Sequence, residues 1–188
     1  MSVAGRRRRP GRVAFLGMLV AAGLALNLVD RMIPSPVPFA RLGLANVVTL
    51  VALVAFGLPE ALVVTGARVT VAAHVVGTFG GPAFLLALAG GLASALAMGA
   101  LVRTSMPPLG VVGVSLVGAA VHNVTQLAVV AALFVGATAA TGLLPAALLV
   151  SAPAGFATGV VAWLVLNRLP LDGDAAARRD LKLRRESS

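Results

Sequence analysis

The chain contains no cysteine, so disulfides, thiolate nucleophiles and cysteine-ligated metals are excluded at the outset. Charge is almost as scarce: 11% of the 188 residues are charged, against 59% that are apolar. Acidic residues number six, and only Asp30 and Glu60 fall near the apolar stretches. No aspartate-rich cluster is present to hold magnesium on a diphosphate; the nearest approach is Asp172-Gly173-Asp174 in the polar tail. With both membrane-proximal acids at the edges of apolar runs, a Ser-His-Asp catalytic set is not credible. There is no GxxxxGK[ST] phosphate loop, so ATP hydrolysis by that route is excluded. No catalytic residue, metal or cofactor is expected, and the chain alone is not expected to be an enzyme.

What remains is a succession of apolar runs from Val13 to Leu166, each too long for an ordinary strand. Too little polar surface exists to cover such a chain in water, so its solvent is lipid. Crossing the hydrocarbon takes about 20 helical residues, or about 17 at the short end. Dividing the runs at proline, glycine and charge predicts an all-α membrane bundle of about six helices. The expected spans are Val13–Val29, Leu44–Phe56, Ala61–Gly77, Ala83–Val102, Val111–Val135 and Pro145–Asn167. The second is short, and Leu42 and Gly57 are expected to extend it. The corresponding domains are a basic tail over 1–12, the membrane domain over 13–167 and a charged tail over 168–188.

The net charge of +9 invites a nucleic-acid reading, but the placement of the charge opposes it. Arg6, Arg7, Arg8, Arg9 and Arg12 precede the first span; Arg168, Arg178, Arg179, Lys182, Arg184 and Arg185 follow the last. Flanking clusters of this kind mark the cytoplasmic side, where anionic lipid also holds them. With Arg103 added, twelve of the fifteen basic residues fall on that side when six spans are drawn. An odd number would expose one basic tail, so both termini are expected inside, in the cell membrane. Asn27-Leu28-Val29-Asp30 has no small-x-small cleavage site, which reads the first run as a retained helix rather than a signal peptide.

The outer connections differ in kind. Pro34, Pro36 and Pro38 alternate between Asp30 and Arg41, which predicts a stiff extended strap. Gly80 and Gly81 lie in a short glycine-rich turn from Gly77 to Pro82. Together these suggest a covered outward site or simply two structural loops. The third connection, Gly136 to Leu144, reads as a small uncharged loop. Inside, Gly57 to Glu60 reads as a tight turn and Arg103 to Gly110 as a longer one.

Polar residues within the spans are the candidates for chemistry. Arg68 sits near the middle of the third span, where a charge costs on the order of 3 kcal/mol and must face protein or water. It reads either as a structural arginine on backbone carbonyls or as the receptor for an anionic ligand group; no acid is evident beside it. His122, Asn123 and Gln126 lie three and four residues apart on one face of the fifth span. They suit helix-to-helix hydrogen bonds or substrate contacts. His74 belongs to the outer interface or to the same cavity. Asn27 and Asn46 read as cavity-lip residues or helix caps.

Small residues recur at four-residue spacing in Ala14, Met18 and Ala22, in Gly17, Ala21 and Ala25, and in Gly90, Ser94 and Met98 beside Gly91, Ala95 and Gly99. Such stripes permit close helix contact. The first begins near the cytoplasmic face and is the candidate interface for a partner subunit.

Three blocks carry a resemblance. Arg41-Leu42-Gly43-Leu44-Ala45-Asn46 running into Val47-Val48-Thr49-Leu50 resembles the hallmark of the Gx transporter family. Gly77-Thr78-Phe79 with Pro82 to Gly91 resembles its second block. Gly113-Val114-Ser115, Gly118-Ala119, His122-Asn123 and Gln126-Leu127 resemble its third. Arg68 falls where that family carries an arginine, and the match runs from about Val13 to Asn167. The family is similar to the substrate-binding S components of energy-coupling-factor transporters, six-helix proteins whose outer loop covers a ligand. It is also labelled heptaprenyl diphosphate synthase component I, which implies a partner subunit that performs prenyl transfer. The resemblance thus implies a binding component of a cofactor-precursor transporter served by an ATP-driven module, or an accessory membrane subunit in isoprenoid quinone synthesis. Arg41, Asn46, Arg68, His122, Asn123 and Gln126 are the expected substrate contacts. Membrane lipid and a small-molecule ligand are the other expected partners.

Overall fold

A computed structural model describes residues 10–32, 43–104 and 106–169. Among these the chain is helical throughout, apart from its turns. Six helices follow one another: α1 (Pro10–Met32), α2 (Asn46–Phe56), α3 (Leu58–Val75), α4 (Pro82–Thr104), α5 (Met106–Val130) and α6 (Gly136–Arg168). A π-helical turn, Ala131–Val135, joins the last two. The architecture is the expected all-α membrane bundle. Four of its helices, α1, α4, α5 and α6, are long and apolar enough to span a bilayer by themselves.

The short α2 lies at the centre. It touches each of the other five helices, whereas α1 packs only on α2 and α3, and α6 on α2, α5 and the π turn. Every residue from Ala45 to Leu53 is buried. Leu50, Val51 and Ala52 anchor a core to which α1 adds Leu19, α3 adds Val64, α4 adds Met98 and α6 adds Ala162. A helix that is apolar on nearly every side belongs in lipid or in a protein core, and this one lies in the core.

The boundaries correct the sequence reading at four places. Leu44 and Ala45 form a turn, with Asn46 N–H on Gly43 O at 2.7 Å, so the second helix starts later than expected. Gly57 does not extend it: at φ 104° and ψ 179° it reverses the chain alone, and α3 begins at the next residue. Arg103 to Gly110 is not an open loop, since α5 starts at Met106 and breaks only at Gly110, at φ 61° and ψ 178°. Most markedly, Gly136 to Leu144 is helix. The reversal is made at Gly136, φ 75°, and α6 then runs 33 residues through Pro145 and Pro153. Proline is tolerated in a membrane helix where its neighbours re-satisfy the freed backbone groups; Ser151 and Thr158 bond back to the Ala147 and Ala154 carbonyls, at 2.7 and 2.9 Å, so their hydroxyls are satisfied within α6.

Close packing follows glycine. A Cβ on Gly155 or Gly159 would stand 2.8 Å from the Cα of Leu116 or Val112, so α6 meets the α5 backbone directly. Ser115 and Thr158 join hydroxyls at 2.8 Å within that seam. On α4 the expected small stripe is buried, with Gly91 toward α3 and Gly90 toward α5. On α1 both expected stripes point outward: Ala14, Gly17, Met18, Ala21, Ala22 and Ala25 are exposed. The residue that lets α1 approach is Gly23, whose Cβ would stand 2.7 Å from Val48 Cγ2.

Alternation of the helices sets two ends. At one, Arg12 pairs with Glu60 and lies 5.4 Å above the Phe56 ring, which also meets Phe15. Arg103 and Arg168 close α4 and α6 at the same end. At the other end lie Asp30, the start of α2 and the Gly77–Gly81 turn.

Candidate functional site

The candidate residues gather in the half of the bundle toward Asp30. Arg68, 4% exposed, reaches across to α2, where Nη2 donates to Asn46 Oδ1 at 3.2 Å. A guanidinium only donates, so the Asn46 amide presents its oxygen there. Two glycines make room for the side chain. A Cβ on Gly23 of α1 would stand 2.9 Å from Arg68 Cδ, and one on Gly91 of α4 would stand 3.8 Å from Nη2. One turn nearer the basic end, Thr49 and Thr65 join hydroxyls at 2.8 Å.

The expectation that no acid stands near Arg68 is corrected. Asp30, at the end of α1, is buried and lies within coulombic reach of the guanidinium. Its Oδ2 accepts from Gly43 N–H at 3.2 Å. The sequence hid this because Asp30 and Arg68 are far apart along the chain and Asp30 reads as an interfacial residue. Only the packing of α1 on α3 brings them together.

The second group is on α5, and its three members divide between two neighbours. His122 and Gln126 face α4: a Cβ on Gly90 would stand 3.1 Å from His122 Nδ1 and 3.0 Å from Gln126 Cγ. Gln126 Nε2 faces the Leu86 carbonyl at 3.5 Å. Asn123 turns toward α6, where Nδ2 lies 2.8 Å from Ser151 Oγ. Both amides turn NH2 toward their partners, Asn123 at the shorter distance. Leu86 O can only accept, so Gln126 must offer NH2. Ser151 spends its single proton on Ala147 O, so it too accepts, and Asn123 must offer NH2.

Gly90 and Gly91 are adjacent, which places the two groups at one level against two faces of α4 about 100° apart. From the 3.8 Å Cα spacing, Arg68 Nη2 and Gln126 Cγ are no more than about 14 Å apart. Among the described residues, Arg68 Nε, Asn123 Oδ1, Gln126 Oε1 and Ser94 Oγ are buried without a hydrogen-bond partner. In a native interior each such atom needs an explanation, since its desolvation costs about 1–3 kcal/mol.

His74 is exposed at the end of α3, stacked on Phe79 at 4.1 Å with Nδ1 on Thr70 O at 2.8 Å. It belongs to the outer rim rather than to the buried group. Asn27 is buried on α1. Gly80, at φ 75°, and Gly81 form the α3–α4 turn at the same end. Pro34, Pro36, Pro38 and Arg41 lie outside the described residues.

A bundle of long apolar helices around a buried polar group is a multi-pass membrane protein. Residues 19–165 match the family described as heptaprenyl diphosphate synthase component I, and the chain belongs to that family. No curated protein and no solved structure matches it.

Proposed function

We propose that the protein is the ligand-binding membrane subunit of a small-molecule transporter, resembling an S component. The observation that carries this reading is Arg68: a charged side chain, buried at mid-helix, with one nitrogen committed to Asn46 and Nε uncommitted. Asn46, Arg68, His122, Asn123 and Gln126 form the ligand-contacting set, with Arg41 entering from the strap. Gly80 and Gly81, with Pro34, Pro36 and Pro38, form the cover. The distribution of arginine and lysine supports a cytoplasmic basic end, with this site toward the outside of the cell membrane. The tails over 1–12 and 168–188 then lie in the cytoplasm. An ATP-driven coupling subunit docks on the outward stripe of Ala14, Met18 and Ala22.

The test is ligand binding by purified, folded Arg68→Ala, Gln126→Ala and Arg31→Ala proteins, after a thermal-shift screen of vitamins, flavins, quinone precursors and prenyl diphosphates. Loss at the first two and tolerance at the third is expected. Normal binding without the Arg68 side chain would make it a structural residue.

The family description favours a second reading, an accessory subunit that assists a separate prenyl diphosphate synthase. The chain would then hold lipid product in the bilayer beside a partner that supplies the magnesium-binding acids. Co-purification with a soluble synthase bearing aspartate-rich motifs, rather than with an ATPase module, would decide for it.

A further inference from the structure

Resting on the binding function proposed above, we infer that the outer half of α1, from Gly23 to Met32, is the gate over Arg68, with Asp30 as its latch. A ligand reaches Arg68 and Asn46 by passing beneath that half-helix. The two side chains belong to residues 4% and 6% exposed, so an element must move before anything reaches them. What lies over them is α1. A Cβ on Gly23 would stand 2.7 Å from Val48 Cγ2 and 2.9 Å from Arg68 Cδ. This helix packs only on α2 and α3, whereas α5 and α6 meet backbone on backbone at Gly155 and Gly159.

The seam under α1 changes character at Gly23. Toward the basic end it is apolar: Phe15, Leu16, Leu19 and Val20 all join the core, and Arg12 adds its ion pair with Glu60. From Gly23 outward the buried residues are Gly23, Asn27 and Asp30, four and three apart on one face, with Leu26 half-buried beside them. An apolar seam admits water only against the hydrophobic effect, whereas a polar seam exchanges its bonds for bonds to water at small net cost. The inner half is therefore the anchor, and the outer half, about 15 Å long, is the part that lifts. Asp30 holds it closed. Its Oδ2 accepts from Gly43 N–H at 3.2 Å, and Gly43 O accepts from Asn46 N–H at 2.7 Å. The same carboxylate lies within coulombic reach of Arg68, which donates to Asn46 Oδ1. One side chain at the end of α1 thus bears on the start of α2 and on the charge of α3.

The experiment uses the full chain in nanodiscs and reads the opening without a ligand. Because the wild-type chain has no cysteine, Val48→Cys puts its single thiol beneath Gly23. The rate at which a charged methanethiosulfonate reagent modifies that thiol follows the open fraction. A slow, measurable rate is expected, raised about tenfold or more by Asp30→Asn, which keeps the shape and removes the charge. Val114→Cys, buried in the core, should stay unreactive in both backgrounds. No response to Asp30→Asn, or an equal rise at Val114→Cys, overturns the gate. A second variant, Gly23→Cys with Val48→Cys, brings two Cβ atoms within about 4.2 Å of each other, close enough for a disulfide that holds α1 down. Compounds from the thermal-shift screen that bind the reduced pair should lose binding on oxidation and regain it with reductant. Equal binding by both forms overturns the gate and leaves the binding function standing. A thiol that responds as expected in a protein that binds none of the screened compounds supports the motion of α1 and overturns the binding function.

Discussion

Asn46 and Arg68 stand 22 residues apart and meet at 3.2 Å, with the guanidinium donating to the amide oxygen. The contact ties the first turn of the central helix to the middle of α3. Replacing Asn46 by Leu keeps the volume but removes the acceptor from a buried cation. We expect a loss of about 1–3 kcal/mol, seen as a lower melting temperature in detergent. Thr49→Val, one turn away, removes a neutral hydroxyl pair and should cost less. Equal melting of wild type and Asn46→Leu would show that the bond carries no weight.

Neighbouring residues of α1 should respond oppositely to bulk. Ala22 points outward, while Gly23 has Val48 and Arg68 against it. Ala22→Phe should leave thermal stability and ligand affinity unchanged but weaken capture of a coupling subunit in co-purification. Gly23→Val should lower stability by about 1–3 kcal/mol through overpacking. If Ala22→Phe leaves capture intact, that face does not carry the docking contact.

Glycines along the bundle can be sorted by the space beside them. A Cβ on Gly91 would stand 2.9 Å from Thr65 Cγ2, whereas one on Gly66 meets nothing within 4 Å. Gly66→Ala should therefore be neutral or stabilising, by up to about 1 kcal/mol, as alanine suits a helix better. Gly91→Val should destabilise and weaken ligand binding, since it displaces the wall shared with Arg68. Circular-dichroism melts of the two variants provide the comparison.

Arg12 and Glu60 form an ion pair that is partly exposed, at 25% and 18% of their side-chain surfaces. Solvent screening limits its worth, so a double-mutant cycle with Arg12→Ala and Glu60→Ala should give a coupling of about 1 kcal/mol or less. Arg12→Ala alone should cost slightly more than that coupling, because the Phe56 contact is lost as well. Unfolding in a denaturing detergent series would measure both.

Topology is directly testable because the wild-type chain has no cysteine. Cysteine at Ser35 should react with a membrane-impermeant maleimide in intact cells, and cysteine at Ser187 only after permeabilisation. Labelling of Ser187→Cys from outside would refute the arrangement with both ends in the cytoplasm.

Hydropathy located all six helices, though it started the sixth at Pro145 rather than Gly136, because lipid forbids unpaired backbone and leaves little but the helix. It failed where one residue does the work of a loop. Gly136 reverses the chain alone, so the small residues after it, which look like a connection, are free to be helix. The Gly155-x-x-x-Gly159 seam carries a spacing signal of the same kind as the small-residue stripes of α1. Those stripes show the limit of the pattern: spacing reveals a close-packing face without saying whether the chain itself covers it. Arg68 and Gln126 could be singled out as costly residues in lipid. Their lying at one level against two adjacent glycines of α4, and the nearness of Asp30, depend on how separate helices pack. No local rule contains that.

The central position of α2 has a consequence for how the protein is made. At 11 residues it is about 16 Å long, roughly half the hydrocarbon thickness, and no machinery that recognises full-length apolar segments would insert it by itself. Gly57 is the only residue between it and α3, so the two form one tight hairpin whose length suits joint insertion. Within that hairpin Asn46 and Arg68 meet, and the bond lowers the cost of holding each away from water. The central helix is therefore shielded by its neighbours along its whole length, and its burial is complete only when all of them are in place.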